Sequence, residues 1–135
     1  MFDRPFRLQI VTPTRIAYQD EAVSVSVPGA LGGFQVLYNH APLLSALEVG
    51  ELKVKKTDGT ELHFATSGGF LEVKSNEVVV LADSIELAST IDLPRAEQSR
   101  ERARTRLHSK DPSLDLDRAR ISMLRALNRL RVAGR

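Results

Sequence analysis

A β sandwich of about ten short strands over residues 1–86, followed by an antiparallel two-helix hairpin over residues 87–135, is the fold this 135-residue sequence predicts. Three observations carry it. The first ninety residues hold short apolar alternations of period two, separated by turn residues. After Ser89 the apolar spacing changes to three and four. The composition changes at the same place, for the first ninety residues hold three arginines and the last 45 hold eleven.

The strands follow in order. "FRLQIVT" opens the chain as an alternating segment, and "EAVSVSVP" sets Val23, Val25 and Val27 against Ser24 and Ser26, one buried face against one open. In "ELKVKKTDGTELHFAT" two alternating runs flank Asp58-Gly59, a pair suited to the positive φ angles of a type I′ turn. Leu52 and Val54 are therefore expected to pair back against Leu62 and Phe64. "GGFLEVK" continues the pattern, and "EVVVLAD", continuously apolar from Val78 to Leu81, predicts a strand covered on both sides. Strands this short and evenly spaced predict a sandwich or flattened barrel.

The hairpin has its own punctuation. Asp92 is suited to cap a helix, and Pro94 is tolerated in the first turn, where its missing N–H has no intrahelical partner. The helix should run to about Ser109. "SKDPSLD" supplies a turn and a second cap, after which Leu116, Ala119, Met123, Ala126, Leu130 and Ala133 form a seam. The first helix answers with Ala96, Ala103 and Leu107. These side chains are small and sparse, so the seam is thin and inexpensive to open.

Composition excludes several classes. With 42% hydrophobic and 27% charged residues the chain reads as globular, and no apolar run reaches the roughly 20 residues of a spanning helix. "MFDRPFRLQIVT" lacks the apolar core of a signal peptide. The absence of cysteine removes disulfides and thiolate chemistry, and His40, His63 and His108 stand too far apart to suggest a metal site. "PGALGGFQVLYNHAP" has no Gly-Lys-Ser/Thr ending, and "TSGGF" has no glycine two residues before Ser67, so neither a phosphate loop nor a nucleophile elbow is present. No catalytic constellation is visible.

Charge divides the chain. Residues 1–90 hold 7 basic and 11 acidic side chains, and residues 91–135 hold 12 and 6. A cationic tail allows a free-standing nucleic-acid-binding protein as the alternative reading, but the tail has no aromatic residue to stack on bases and carries interspersed acids. The other reading is a set of guanidinium groups awaiting carboxylate or phosphate partners.

Three motifs go further. "VPGALGGFQVLYNHAPLLSALEVGEL", "SGGFLEVKSNEVVVLADSIE" and "IDLPRA", in this order, closely resemble segments of the ε subunits of F-type ATP synthases. The resemblance covers essentially the whole chain. It implies a non-catalytic subunit of the rotary central stalk, peripheral to the cytoplasmic face of the inner membrane and touching the membrane only through the complex. Its sandwich would link the γ subunit to the c-ring, with Ala30, Leu31, Gly32, Gly33, Phe34, His40 and Pro42 as the docking residues. Its hairpin would either fold back on the sandwich or extend toward the α and β subunits and inhibit ATP hydrolysis, with Arg100, Arg102, Arg104 and Arg106 as the inhibitory charges.

The resemblance also implies a regulatory ATP site, because some bacterial members build one from the "IDLPRA" motif and the second helix. The matching residues are Glu86, Asp92, Arg95, Ala96, Arg125 and Arg129. Arg125 and Arg129 are four apart and share a helix face, so with Arg95 opposite they could surround a triphosphate. Asp92 could accept from the adenine amino group. The resemblance requires no cofactor, and ATP enters only as a regulatory ligand.

Overall fold

A computed structural model describes residues 4–135, and it contains seven strands where the sequence predicts about ten. Two of the seven are long: β4 spans Leu43–Lys56 and β5 spans Glu61–Lys74, with β1 at Phe6–Val11, β2 at Ile16–Val27, β3 at Phe34–Val36, β6 at Glu77–Ala82 and β7 at Ile85–Leu87. The count falls because single strands serve two neighbours in succession. β5 pairs with β7 over Phe64–Thr66 and with β6 over Gly69–Lys74. The change of partner comes at Gly68 and Gly69, whose φ angles of 116° and 139° a side chain would oppose. A Cβ on Gly69 would also stand 2.0 Å from the carbonyl oxygen of Leu81.

Pairing closes on itself. β1 pairs with β2 and β6, β6 with β5, β5 with β4, and β4 with β2, which gives a flattened, closed sandwich with β3 on an outer edge. The inward residues of each alternation meet in one core, including Phe6, Leu8, Ile10, Val25, Leu52, Val54, Leu71, Val78 and Val80. Leu52 stands opposite Phe64 and Val54 opposite Leu62, as the alternation requires.

Two local readings change. Only Gly59 of the Asp58-Gly59 pair has positive φ, and its N–H donates to the carbonyl of Lys56, so the turn begins at Lys56 and is not type I′. The two-residue turn with both φ angles positive is at Ser75 and Asn76, between β5 and β6. β6 is also not covered on both faces within this chain. Val78 and Val80 are buried, whereas Leu81 is 53% exposed.

Helix α1 runs Leu93–His108 and α2 runs Leu116–Ala133, joined to the sandwich by a 3-10 turn at Ala88–Thr90. Asp92 and Asp115 cap them, accepting from the N–H groups of Arg95 and Arg118. The seam rests on four buried alanines, Ala96 and Ala103 from α1 with Ala119 and Ala126 from α2. Leu116 departs from the expected seam, being 40% exposed. No helix among the described residues is long and apolar enough to cross a membrane.

Candidate functional site

Arg125, Asn128, Arg129 and Val132 recur at helical spacing along one face of α2, and that face turns to the sandwich. Val132 is fully buried in a small second core with Ala65 and Ile91. One turn earlier, buried Asn128 donates from Nδ2 to the carbonyls of Gly50, at 2.8 Å, and Thr66, at 3.4 Å. Arg131 donates to the Asn128 Oδ1 at 2.8 Å and completes its amide. At the end of the chain Arg135 donates to Glu51, whose other carboxylate oxygen lies 2.9 Å from Nδ1 of His63. α1 packs on α2 and stands outside these contacts.

Beside them lies a cleft of ≈ 290 Å³ walled by β5, β7 and both helices, with Glu86, Ser99, Ser122, Arg125, Asn128 and Arg129 in its lining. Glu86 is the middle residue of β7, so its neighbours Ile85 and Leu87 turn to the sandwich core and its own side chain turns to the hairpin. Arg129 Nη2 donates to Glu86 Oε2 at 3.0 Å. Its Nε lies 2.7 Å from Oε1, a close charge contact whose N–H is off the line of a hydrogen bond. Arg125 has no carboxylate within ion-pair distance among the described residues and faces the cleft.

Of the six residues implied for a nucleotide site, three meet in this cleft: Glu86, Arg125 and Arg129. Three do not line it. Asp92 serves as the cap of α1, Arg95 is exposed, and Ala96 is buried in the helix seam. The two guanidinium groups and the hydroxyls of Ser99 and Ser122 suit phosphoryl oxygens. The residues for an adenine are not gathered in this folded-back arrangement.

The row of arginines on α1 is partly satisfied within the helix. Arg100 lies 2.6 Å from Glu97, Arg104 lies 3.9 Å from Glu101, and Arg102 donates to the Ser99 hydroxyl at 3.3 Å. No partner is seen for Arg106 among the described residues.

The loop after β2 carries exposed Ala30, Leu31, Gly32 and Gly33, with Leu31 fully projecting and Phe34 half-buried. Its base is fixed, because the Ala30 N–H donates to the Ala46 carbonyl at 2.9 Å and the Glu48 N–H to the Pro28 carbonyl at 2.8 Å. Pro42 is exposed, and His40 bonds through Nδ1 to the neighbouring Ala41 carbonyl at 2.7 Å. The strand register adds what sequence reasoning missed. Ala46, Phe70 and Leu81 lie side by side across β4, β5 and β6, and the two large residues are each 53% exposed. This apolar row is continuous with the base of the loop and is the kind of surface that marks a protein contact.

Family models match residues 5–134 of the chain. Residues 5–88 match the ATP synthase delta/epsilon chain β-sandwich domain, and residues 89–134 match the ATP synthase delta/epsilon chain long α-helix domain. An ATP synthase epsilon chain of Desulforamulus reducens is 45% identical over 127 residues, covering 94% of this chain and 96% of that one. One from Moorella thermoacetica is 43% identical over 127 residues, covering 94% and 95%. A chain in the Euglena gracilis mitochondrial ATP synthase, in a structure of OSCP, F1 and c-ring, has the same fold at 20% identity, with a TM-score of 0.84 over 97% of this chain and 82% of that one. A chain that folds into a seven-stranded β sandwich carrying a folded-back helical hairpin, and that these family models match over residues 5–134, belongs to the delta/epsilon chain family of ATP synthases.

Proposed function

We propose that this chain is a rotor subunit of the central stalk, linking γ to the c-ring through its sandwich and restraining ATP hydrolysis through its hairpin. The observation that carries the reading is the way the hairpin is attached. Among the described residues it is α2 that docks, through one buried amide, one small apolar cluster and ion pairs at Glu86 and Glu51. An attachment built from few contacts, joined to a seam of alanines, is suited to release as a unit. The released hairpin would offer its arginines to acidic surfaces of the α and β subunits.

On this reading the loop Ala30–Phe34 with His40 and Pro42 meets the c-ring, and the row Ala46, Phe70 and Leu81, which adjoins that loop, extends the docking surface shared by the c-ring and γ. The subunit sits at the cytoplasmic face of the inner membrane and reaches it only through the complex. ATP acts as a regulatory ligand in the cleft of Glu86, Arg125 and Arg129. Asp92, Arg95 and Ala96 would join it only after the start of α1 shifts. No Walker-type loop is present, so the ligand is held and not hydrolysed.

Reconstitution tests this. The full chain and its residues 1–86 are each combined with the other ATP synthase subunits, and assembly and ATP hydrolysis are measured. Both should assemble, and only the full chain should restrain hydrolysis. Failure of residues 1–86 to fold or assemble would refute the division at 86, and equal hydrolysis with both would refute the restraint.

A further inference from the structure

We infer that Glu86 is an internal competitor for Arg129, which reserves the cleft for ligands carrying several negative charges. The inference rests on the reading of the cleft as an anion site. It starts from the paired state of Arg129, whose Nη2 and Nε both face the Glu86 carboxylate, at 3.0 and 2.7 Å. A guanidinium offers the same fork of N–H groups to a carboxylate and to a phosphoryl group. The two are therefore alternatives at Arg129. Any anion that uses this arginine must first displace Glu86.

Displacement has a cost set by burial. The Arg129 and Glu86 side chains keep 21% and 35% of their accessibility, so solvent screens them less than a surface pair. An anion with a single anionic group recovers little by the exchange, because it only replaces one such group with another. A polyanion recovers more. Arg125 lies one turn away on the same face, with Cβ atoms about 6 Å apart at that spacing, which suits neighbouring phosphoryl groups. Ser99 on α1 and Ser122 on α2 add hydroxyls to the same cleft without adding charge. Glu86 itself retains access to water, so its carboxylate can be rehydrated when it leaves.

The pair also joins β7 to α2, and a purely structural clasp predicts the opposite result on mutation. Loss of a clasp would loosen the cleft and weaken every ligand. Loss of a competitor strengthens binding, and most visibly admits small anions.

Calorimetric titration of the full chain with orthophosphate, tripolyphosphate and ATP separates the two. In the parent chain tripolyphosphate and ATP should bind and orthophosphate should give no saturable heat. In Glu86→Gln the affinity for tripolyphosphate should rise roughly five- to tenfold, the range for releasing one partly screened charge pair. Orthophosphate binding should become measurable. Tripolyphosphate isolates this effect from any contact Glu86 makes with a base. Glu86→Asp, which keeps the charge but shortens its reach, should give a smaller gain and decides the matter if Glu86→Gln does not fold. Unchanged or weaker tripolyphosphate binding in the folded variants, with binding intact in the parent, would overturn the role of Glu86 alone. Absence of polyanion binding in parent and variants alike would overturn this role and the anion site together.

Discussion

Asn128 of α2 donates its amide hydrogen to the backbone oxygen of Gly50 in β4 at 2.8 Å, and this buried bond fixes the hairpin against the sandwich at a single register. Replacing it leaves the Gly50 carbonyl under the helix without that donor. Asn128→Leu should therefore cost about 1–3 kcal/mol of docking free energy. Spectroscopic labels on α2 and β4 should report a larger separated population, while the sandwich keeps its far-ultraviolet dichroism. An unchanged separation would show that Val132 and the ion pairs suffice.

Glu51 gives the docked state a dependence on acid. Burial alone would raise its pKa, but hydrogen bonds from His63 and Arg135 outweigh burial and hold the carboxyl below its ordinary value of 4.5. A group depressed in the folded state stabilises it above the unfolded pKa, and that contribution is lost as pH falls through the folded value. Docking should weaken below about pH 5 and be indifferent to Glu51 in alkali's direction, above neutrality. The difference in melting temperature between the parent and Glu51→Gln should narrow as pH falls from 6 toward about 3. A constant difference would remove Glu51 from the acid response.

Exchange of Arg100, Arg102, Arg104 and Arg106 for glutamine keeps helix propensity and deletes four cations. Two of these already have carboxylate partners on α1, Arg100 with Glu97 and Arg104 with Glu101. The expected rise in ATP hydrolysis of the assembled complex is therefore graded, at about 0–1 kcal/mol per charge, and shrinks as salt is added. Hydrolysis that stays constant across a salt series would exclude an electrostatic restraint.

Tyr18 packs edge-on against Phe64, with ring centroids 6.1 Å apart, and its buried hydroxyl has no hydrogen-bond partner. Burial is the main reason its pKa is raised, with Asp20 and Asp58 adding to it. Tyr18→Phe keeps the ring and removes an unsatisfied polar atom. The melting temperature should stay level or rise, by up to about 1 kcal/mol of stability. A clear loss of stability would mean that the hydroxyl has a partner in solution.

The strand pattern was legible because alternation reports directly which side chains turn inward, as Leu52, Val54, Leu62 and Phe64 did. The strand count was not, since nothing in the local pattern of β5 announces that one strand serves two neighbours on either side of Gly68-Gly69. Glu86, Arg125 and Arg129 came from the family resemblance and from spacing four apart. Asn128 escaped, although its spacing from Arg125 and Val132 places it on the same face. A helical asparagine has meaning only once a carbonyl stands opposite it. The row of Ala46, Phe70 and Leu81 needed the register of three strands, which no single stretch of sequence contains.

The change of partner at Gly68-Gly69 makes β5 a short mechanical link. Thr66, whose carbonyl receives Asn128, and Phe70, in the exposed apolar row, lie four residues apart on that strand, about 13 Å of extended chain. Load that has reached Thr66 passes to the apolar row at Phe70 through covalent backbone, which β4 pairs on both sides of Gly68. Stiffness over that span would let a part on one side hold its angle while a part on the other side is driven.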